Sequence, residues 1–316
     1  MQIRKLSSDG PEISAMGYGA WEAGGDMWGS AVEERVVLEA MHAAIDTGIN
    51  WIDTAEAYGD GASERLVGRV AKDRPGEVLV FTKVAHFASG ARPQDVRRAI
   101  TGSLDRLGVD AVDLYQIHWP AERVVPVEET WGAMSELVDE GLVRHIGVSN
   151  FDRPLIERCL AIRHVDSVQN QYSLLHPEDR RELLPWLQEQ GIGYLAYGPL
   201  AFGLLGGRIT SETRFEEDDW RSGGPHPLGY YRDLFAPGKF ERSLERVDRL
   251  RPIAGRLGLN LPSLAIAAVT ATPGITGAIA GSRRPEHVAA NAEAGGVELD
   301  ADVLAEIEGA VGADDG

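Results

Sequence analysis

The sequence predicts an α/β protein built as one (β/α)8 barrel, and three observations carry that prediction. Short apolar runs alternate with helix-patterned stretches eight times along the chain. No shift in composition marks a linker within the 316 residues, as expected for one parallel sheet closed on itself inside a ring of helices. The competing doubly wound sheet should carry G-x-G-x-x-G after an early strand. Gly17-Tyr18-Gly19-Ala20-Trp21-Glu22 begins that way and lacks the third glycine.

The elements follow in order. Residues 3–13 alternate about Ser8-Asp9-Gly10, a hairpin signal. Residues 17–21 read as the first barrel strand. Val36, Val37, Ala40, Met41, Ala44 and Ile45 recur at helical spacing, which predicts a helix over 33–47 closed by Gly48. Strands at 50–53, 78–82 and 112–117 are then followed by helices at 63–72, 93–108 and 127–140, the last stopped by Gly141. A strand at 143–149 leads to a helix from Pro154, and one at 167–170 to a helix over 178–190 that Gly191 ends. The seventh strand, 192–197, opens into a long irregular stretch rich in Gly, Pro and aromatics, 198–238. Helices over 240–257 and 262–272, an eighth strand at 277–280, a helix from Pro285 and a last helix at 300–311 complete a single domain over 1–316.

Composition narrows the function. With 43% hydrophobic and 25% charged residues the chain is an ordinary globular one. A net charge of -18 argues against nucleic acid or an anionic membrane as partner, since both need a basic footprint. The acidic surface bears on solubility and says little about self-association. No stretch approaches the ~18 consecutive apolar residues of a membrane span. No apolar run follows Met1-Gln2-Ile3-Arg4-Lys5-Leu6, so no signal peptide is expected. The lone cysteine, Cys159, forms no internal disulfide and is expected to lie inert in a helix. Eight scattered histidines without a His-x-His pair offer no metal site. These readings point to a reduced, cytoplasmic protein.

The chemistry sits at strand ends. Gly48-Ile49-Asn50-Trp51-Ile52-Asp53-Thr54-Ala55-Glu56-Ala57-Tyr58-Gly59 carries an acid at the end of a strand and a phenol five residues on. The next apolar run ends in Lys83 and the one after it in His118. A buried Asp needs a partner for its charge. A Tyr donates a proton near neutrality only where something lowers its pKa from about 10, and an ammonium would do so. Taken alone, Lys83 is a surface lysine, His118 a core histidine and Asp53 a loop cap. Together, at or just beyond three successive strand ends that converge on one face, they outline a proton-transfer site. Trp51, inside its strand, reads as core.

The set Asp53, Tyr58, Lys83 and His118 resembles the catalytic tetrad of the aldo-keto reductase superfamily, with bacterial reductases and potassium-channel β-subunits as the most similar members. The resemblance spans nearly the whole chain. It implies that Tyr58 is the general acid, Lys83 paired with Asp53 the group that lowers its pKa, and His118 the orienter of the substrate oxygen. It implies NADPH (NADP+) as the cofactor and a small carbonyl compound as substrate. Ser149, Asn150 and Gln171 match the residues that hold the nicotinamide carboxamide. Tyr197 matches the aromatic that stacks on that ring. Ala20, Trp21 and Asp53 flank it, while Gly198, Pro199, Leu200, Ala201 and Gly203 belong to a loop over the pyrophosphate, with Arg208 as its phosphate partner. Gly281, Ser282, Arg283, His287 and Asn291 resemble the 2′-phosphate site at a helix N-terminus. Here Gly281 and His287 stand where many members have lysine and arginine, and Ala290 replaces a frequent acid, which leaves Arg283 as the main cation. Trp21, Met27, Trp28, Phe87 and Trp119, with Tyr58 and His118, are expected to wall an apolar substrate pocket. Trp220, Tyr230 and Tyr231 in the 213–238 stretch are expected to cover it. The alternative reading is a cofactor-sensing regulatory subunit like the channel β-subunits; the intact tetrad and a chain beginning at the hairpin weigh against it. A metal-dependent barrel hydrolase lacks support.

Overall fold

The computed structural model describes residues 1–25, 28, 33–217, 219–222 and 234–312. Two short strands, β1 (Ile3–Lys5) and β2 (Glu12–Ser14), form the expected hairpin, antiparallel with Ile3 opposite Ser14. Eight parallel strands then close into a barrel: β3 (Met16–Gly19), β4 (Trp51–Asp53), β5 (Leu79–Val84), β6 (Val112–Ile117), β7 (Val143–Ser149), β8 (Ser167–Gln171), β9 (Gly193–Tyr197) and β10 (Gly277–Ala280). They pair in chain order, and β10 closes the ring between β9 and β3.

The outer layer comprises α1 (Glu34–Asp46), α2 (Ala62–Asp73), α3 (Pro93–Leu107), α4 (Val127–Asp139), α5 (Arg153–Leu160), α6 (Leu183–Gln190), α7 (Lys239–Arg256), α8 (Leu261–Ala271), α9 (Pro285–Ala294) and α10 (Ala301–Gly312). Their starts follow local chemistry. The Asp152 carboxylate accepts from Leu155 N at 3.1 Å and caps α5, and Asn260 accepts from Ser263 N at 2.8 Å to cap α8. Gly108 and Gly191, at φ 67° and 70°, end α3 and α6 in the left-handed conformation. Cys159 is buried in α5.

One helix differs from expectation. Residues 178–190 split into a short 3-10 turn, Glu178–Arg180, and α6. The break falls at Glu182, at φ -123° and ψ -48°, and Pro185 has no N–H to bond back to Arg181. Asp179 is meanwhile drawn to the barrel, where its carboxylate accepts from Tyr194 OH at 2.8 Å and Asn170 Nδ2 at 3.0 Å.

The barrel is plugged at one end and open at the other. Leu6, Ile13, Trp51, Phe81, Leu114, Leu195 and Ile279 fill the end under the hairpin. Trp51 is fully buried there, and its Nε1 donates to Ser14 O at 2.8 Å. A Cβ at Gly17 would stand 2.4 Å from the Trp51 ring, so only glycine makes room for it. With apolar side chains filling the bottom, polar inward-facing residues remain at the other end, where the strands terminate. Among the described residues no single helix is long and apolar enough to cross a membrane.

Candidate active site

Asp53, Lys83 and His118 converge at the strands' C-terminal ends, all buried. Lys83 is the least accessible: its ammonium donates to Asp53 Oδ1 at 2.5 Å and to Thr54 O at 2.8 Å. The second Asp53 oxygen accepts from Gln169 Nε2 at 2.8 Å. Burial pushes the Lys83 pKa below the usual lysine value, and Asp53, then Glu64, pull it back. A carboxylate at 2.5 Å is what lets an ammonium persist in such a place.

Tyr58 lies on the turn after β4. Its ring centroid is 5.3 Å from Lys83 Nζ, within cation–π range, and 5.5 Å from the His118 ring, which meets it edge-on at 78°. The turn is unusually tight, for Gly59, Asp60 and Gly61 all have positive φ. A Cβ at Gly59 would fall 2.1 Å from Gly24 O. Glycine therefore lets the Tyr58 turn pack on the β3–α1 connection, which brings Trp21 into a stack with Tyr58 at 6.2 Å. His118 holds its pKa well below the ordinary histidine value, because of burial first and then the charges of Lys83 and His86. At neutral pH it is an uncharged imidazole, with a single N–H to donate.

Beside this group opens a cleft of about 230 Å³. Trp21, Trp28, Asp53, Tyr58, His118, Ser149, Asn150, Tyr197, Gly198, Pro199, Leu200, Gly203 and Gly281 all line it. Asn150, at φ 63°, donates from Nδ2 to His118 O and to Ser149 Oγ, both at 3.0 Å, and accepts from Tyr197 OH at 2.6 Å. The cluster joins the ends of β6, β7 and β9. After β9, Ala201, Phe202 and Gly203 have φ of 47°, 54° and 101°. Ala201 and Gly203 donate their N–H groups to Gly198 O at 2.9 Å and Leu200 O at 3.0 Å, so the run folds into a tight turn on the cleft wall.

Other expected residues fall elsewhere. Ala20 is buried behind the cleft, donating its N–H to Asp53 O at 2.8 Å, and Ala201 is buried within its turn. Gln171 is buried but does not line the cleft; Gln169, two residues earlier, does. Register decides between them: Gln169 sits opposite Ser149 on β7 and Leu195 on β9 and so reaches Asp53. Arg208 is exposed beyond the turn, and the arginine lining the cleft is Arg221. Phe87 is 60% exposed with its ring 6.1 Å from His118, and Trp119 is half-buried beside the cleft aromatics. Ser282 precedes α9, His287 lies in its first turn and Asn291 in its second, with Ser282 Oγ accepting from Arg284 N at 3.1 Å and lying 3.5 Å from His287 Nδ1. Trp220 is buried against the cleft aromatics, stacked on Trp21 at 6.4 Å and edge-on to Trp28 and Phe202. Met27, Tyr230 and Tyr231 lie outside the described residues.

Two charged residues that line the cleft, Glu22 and Arg221, went unread in the sequence. Glu22 lies 3.8 Å from Arg283 Nε. Burial raises the Glu22 carboxyl pKa, while Arg283 and Arg221 oppose that. Arg221 is held by both oxygens of Asp219 and donates to Phe202 O at 3.1 Å. Trp21-Glu22 and Asp219-Trp220-Arg221 do put a charge beside a tryptophan in each loop, the one available signal. Among the described residues no cluster of three or more His, Cys, Asp and Glu is placed to hold a metal.

Comparison with known proteins agrees with this geometry. The chain is 36% identical over 314 residues to aldo-keto reductase YhdN of Bacillus subtilis strain 168, covering 96% of this chain and 91% of that protein. It is 30% identical over 311 residues to the NADH-specific methylglyoxal reductase of Escherichia coli K12, with 92% of each covered. The solved structure of an aldo/keto reductase from Klebsiella pneumoniae in complex with NADP and acetate superposes with a TM-score of 0.76 at 29% identity, covering 97% of this chain and 94% of that one. The model of the Aldo/keto reductase family matches residues 15–311. A closed eight-stranded barrel with the Asp53–Lys83 pair buried at its open end, matched over nearly its whole length, places the chain in the aldo/keto reductase family.

Proposed function

We propose that the chain is an NADPH-dependent reductase of aldehydes or ketones, with Tyr58 as general acid assisted by Lys83, Asp53 and His118. The observation that carries this reading is the fully buried Lys83 ammonium, clamped by Asp53 and lying 5.3 Å from the centre of the Tyr58 ring. A bound nicotinamide dinucleotide supplies the hydride. The chain's own residues manage the oxygen. Tyr58 gives its proton to the carbonyl oxygen as negative charge develops there, and the Lys83 charge stabilises the phenolate left behind. Neutral His118 donates its one N–H to the same oxygen and orients it. In the oxidative direction Tyr58 takes the proton back.

The residues present fit the dinucleotide. Ser149, Asn150 and Gln171, whose buried Oε1 has no hydrogen-bond partner among the described residues, offer the donors and acceptors a carboxamide needs, and Tyr197 a flat face for the nicotinamide ring. Gly203 and the Arg221 guanidinium, which lies 3.3 Å from a Cβ built on Gly203, offer the pyrophosphate a wall without a side chain and a cation. Arg283, with Ser282 and His287, supports the 2′-phosphate and hence NADPH. The cleft aromatics favour an apolar carbonyl substrate.

Tyr58→Phe tests the assignment. It should lower NADPH-dependent reduction of a panel of aldehydes by about 10²- to 10⁴-fold, the usual worth of a positioned acid. NADPH binding, followed by tryptophan fluorescence, should be nearly unchanged. Wild-type turnover in that variant would remove Tyr58 from the role. Tight binding by the wild type with no turnover of any aldehyde or ketone would favour a cofactor-sensing subunit instead.

A further inference from the structure

We infer that Glu22 sets the discrimination between NADPH and NADH, by holding Arg283 in an ion pair that an adenosine 2′-phosphate must displace. The inference rests on the cofactor reading above and deepens it. Three connections meet at the cleft mouth. The β3–α1 connection and the loop after β9 contribute Glu22 and Arg221, which line it, while Asp219 pairs with Arg221 and Arg283, from the β10–α9 connection, pairs with Glu22. Arg221 is gripped by Asp219 through Nε at 2.9 Å and a terminal nitrogen at 2.5 Å, and so brings a neutralised charge. Arg283 has Glu22 as its ion-pair partner at 3.8 Å and donates to Trp28 O at 3.2 Å. Among the described residues two cations and two carboxylates therefore cancel where an anionic cofactor must enter.

The cancellation bears unequally on the two cofactors. Both carry the pyrophosphate, so any repulsion that Glu22 exerts on it is common to NADPH and NADH. Only NADPH carries a further phosphate, with about -1.5 to -2 charges near neutrality. To engage Arg283 it must take the guanidinium from Glu22, leaving a carboxylate that is only a quarter exposed without its nearest cation. The side chains are partly solvated, so the penalty falls between that of a surface pair and that of a buried interfacial one. On that basis Glu22 lowers the NADPH preference on the order of tenfold.

The test is a double-mutant cycle read by direct binding. NADPH and NADH are titrated separately into wild type, Glu22→Gln, Arg283→Ala and the double variant, with tryptophan fluorescence and calorimetry as readouts. The ratio Kd(NADH)/Kd(NADPH) should rise about tenfold in Glu22→Gln. It should not rise when the same change is made in the Arg283→Ala background. Glu22→Ala must move the ratio in the same direction. A ratio unchanged or lowered by Glu22→Gln overturns the inference while leaving the reductase reading in place. A rise that persists without Arg283 overturns it too, since the effect would then run through Arg221. Failure of wild type to bind either cofactor would instead bring down the reductase reading itself.

Discussion

Replacing Lys83 by methionine separates what its charge does for folding from what it does for chemistry. The two side chains of its ion pair are 0% and 4% exposed. The substitution keeps most of the stem volume and removes the cation. Asp53 is left in the barrel with Gln169 Nε2 at 2.8 Å as its side-chain donor. Breaking a buried pair on one side costs about 3–5 kcal/mol. The surviving bond from Gln169 places the cost at the lower end, about 3 kcal/mol. At about 2 °C per kcal/mol for a chain of this length, the melting temperature should fall by about 6 °C. Asp53→Asn/Lys83→Met removes both charges and keeps an acceptor for Gln169, so it should regain at least half of the loss. Circular dichroism melts and urea titrations of wild type, both single variants and the double variant measure this directly. A Lys83→Met melt within 1 °C of wild type, or a double variant no more stable than Lys83→Met, would refute the account of Asp53 as a charge that only Lys83 makes tolerable. Activity should be lost in all three variants whatever their stability.

Two further predictions concern pH and phosphate. His118 has a folded-state pKa well below the ordinary 6.5. As pH falls below 6.5 the unfolded chain binds a proton that the fold refuses, so stability drops, by up to about 1.4 kcal/mol per pH unit, until the folded pKa is reached. His118→Asn should flatten that slope between about pH 6.5 and 5 in urea titrations, and an unaltered slope would show that other groups carry it. Arg221→Ala should weaken NADPH and NADH alike, several-fold in each Kd, whereas Arg208→Ala should change neither; equal effects of the two variants would return Arg208 to the phosphate site.

What the sequence made legible was local. Asp53, Lys83 and His118 could be read because each closes an apolar run, and barrel strand ends converge by construction. The hairpin, the eight strands and most helices announced themselves by turns and periodicity. Gln169 could not be told from Gln171, because both face the same side of β8 and only the register with β7 and β9 decides which reaches Asp53. Arg208 was the nearest arginine along the chain to the glycine loop, but the loop returns and delivers Arg221 from 18 residues beyond Gly203. Loop return paths leave no periodic trace. Glu22 was invisible for a different reason: its meaning comes from Arg283, 261 positions away.

The reactive end of the barrel is also tied to its outer wall through Glu64. That carboxylate, fully buried on α2, accepts from Thr82 Oγ1 and from Arg106 Nε, each at 2.6 Å. Thr82 and Lys83 are neighbours on β5 pointing to opposite faces, so Lys83 has Asp53 inside the barrel and Glu64 behind the wall. Charges alternate from the cleft outward: Asp53, Lys83, Glu64, Arg106. Each desolvated charge is thereby flanked by its opposite, with Asp53 at the cleft and Arg106, a quarter exposed, at the outer surface. Arg106 also underlies the turn that carries Tyr58, since a Cβ at Gly61 would stand 2.4 Å from its Cδ. One arginine from α3 thus neutralises the acid behind the ammonium and supports the backbone that presents the phenol. Stability and proton chemistry share these residues because a buried cation can be kept charged only by structure extending beyond the cleft that uses it.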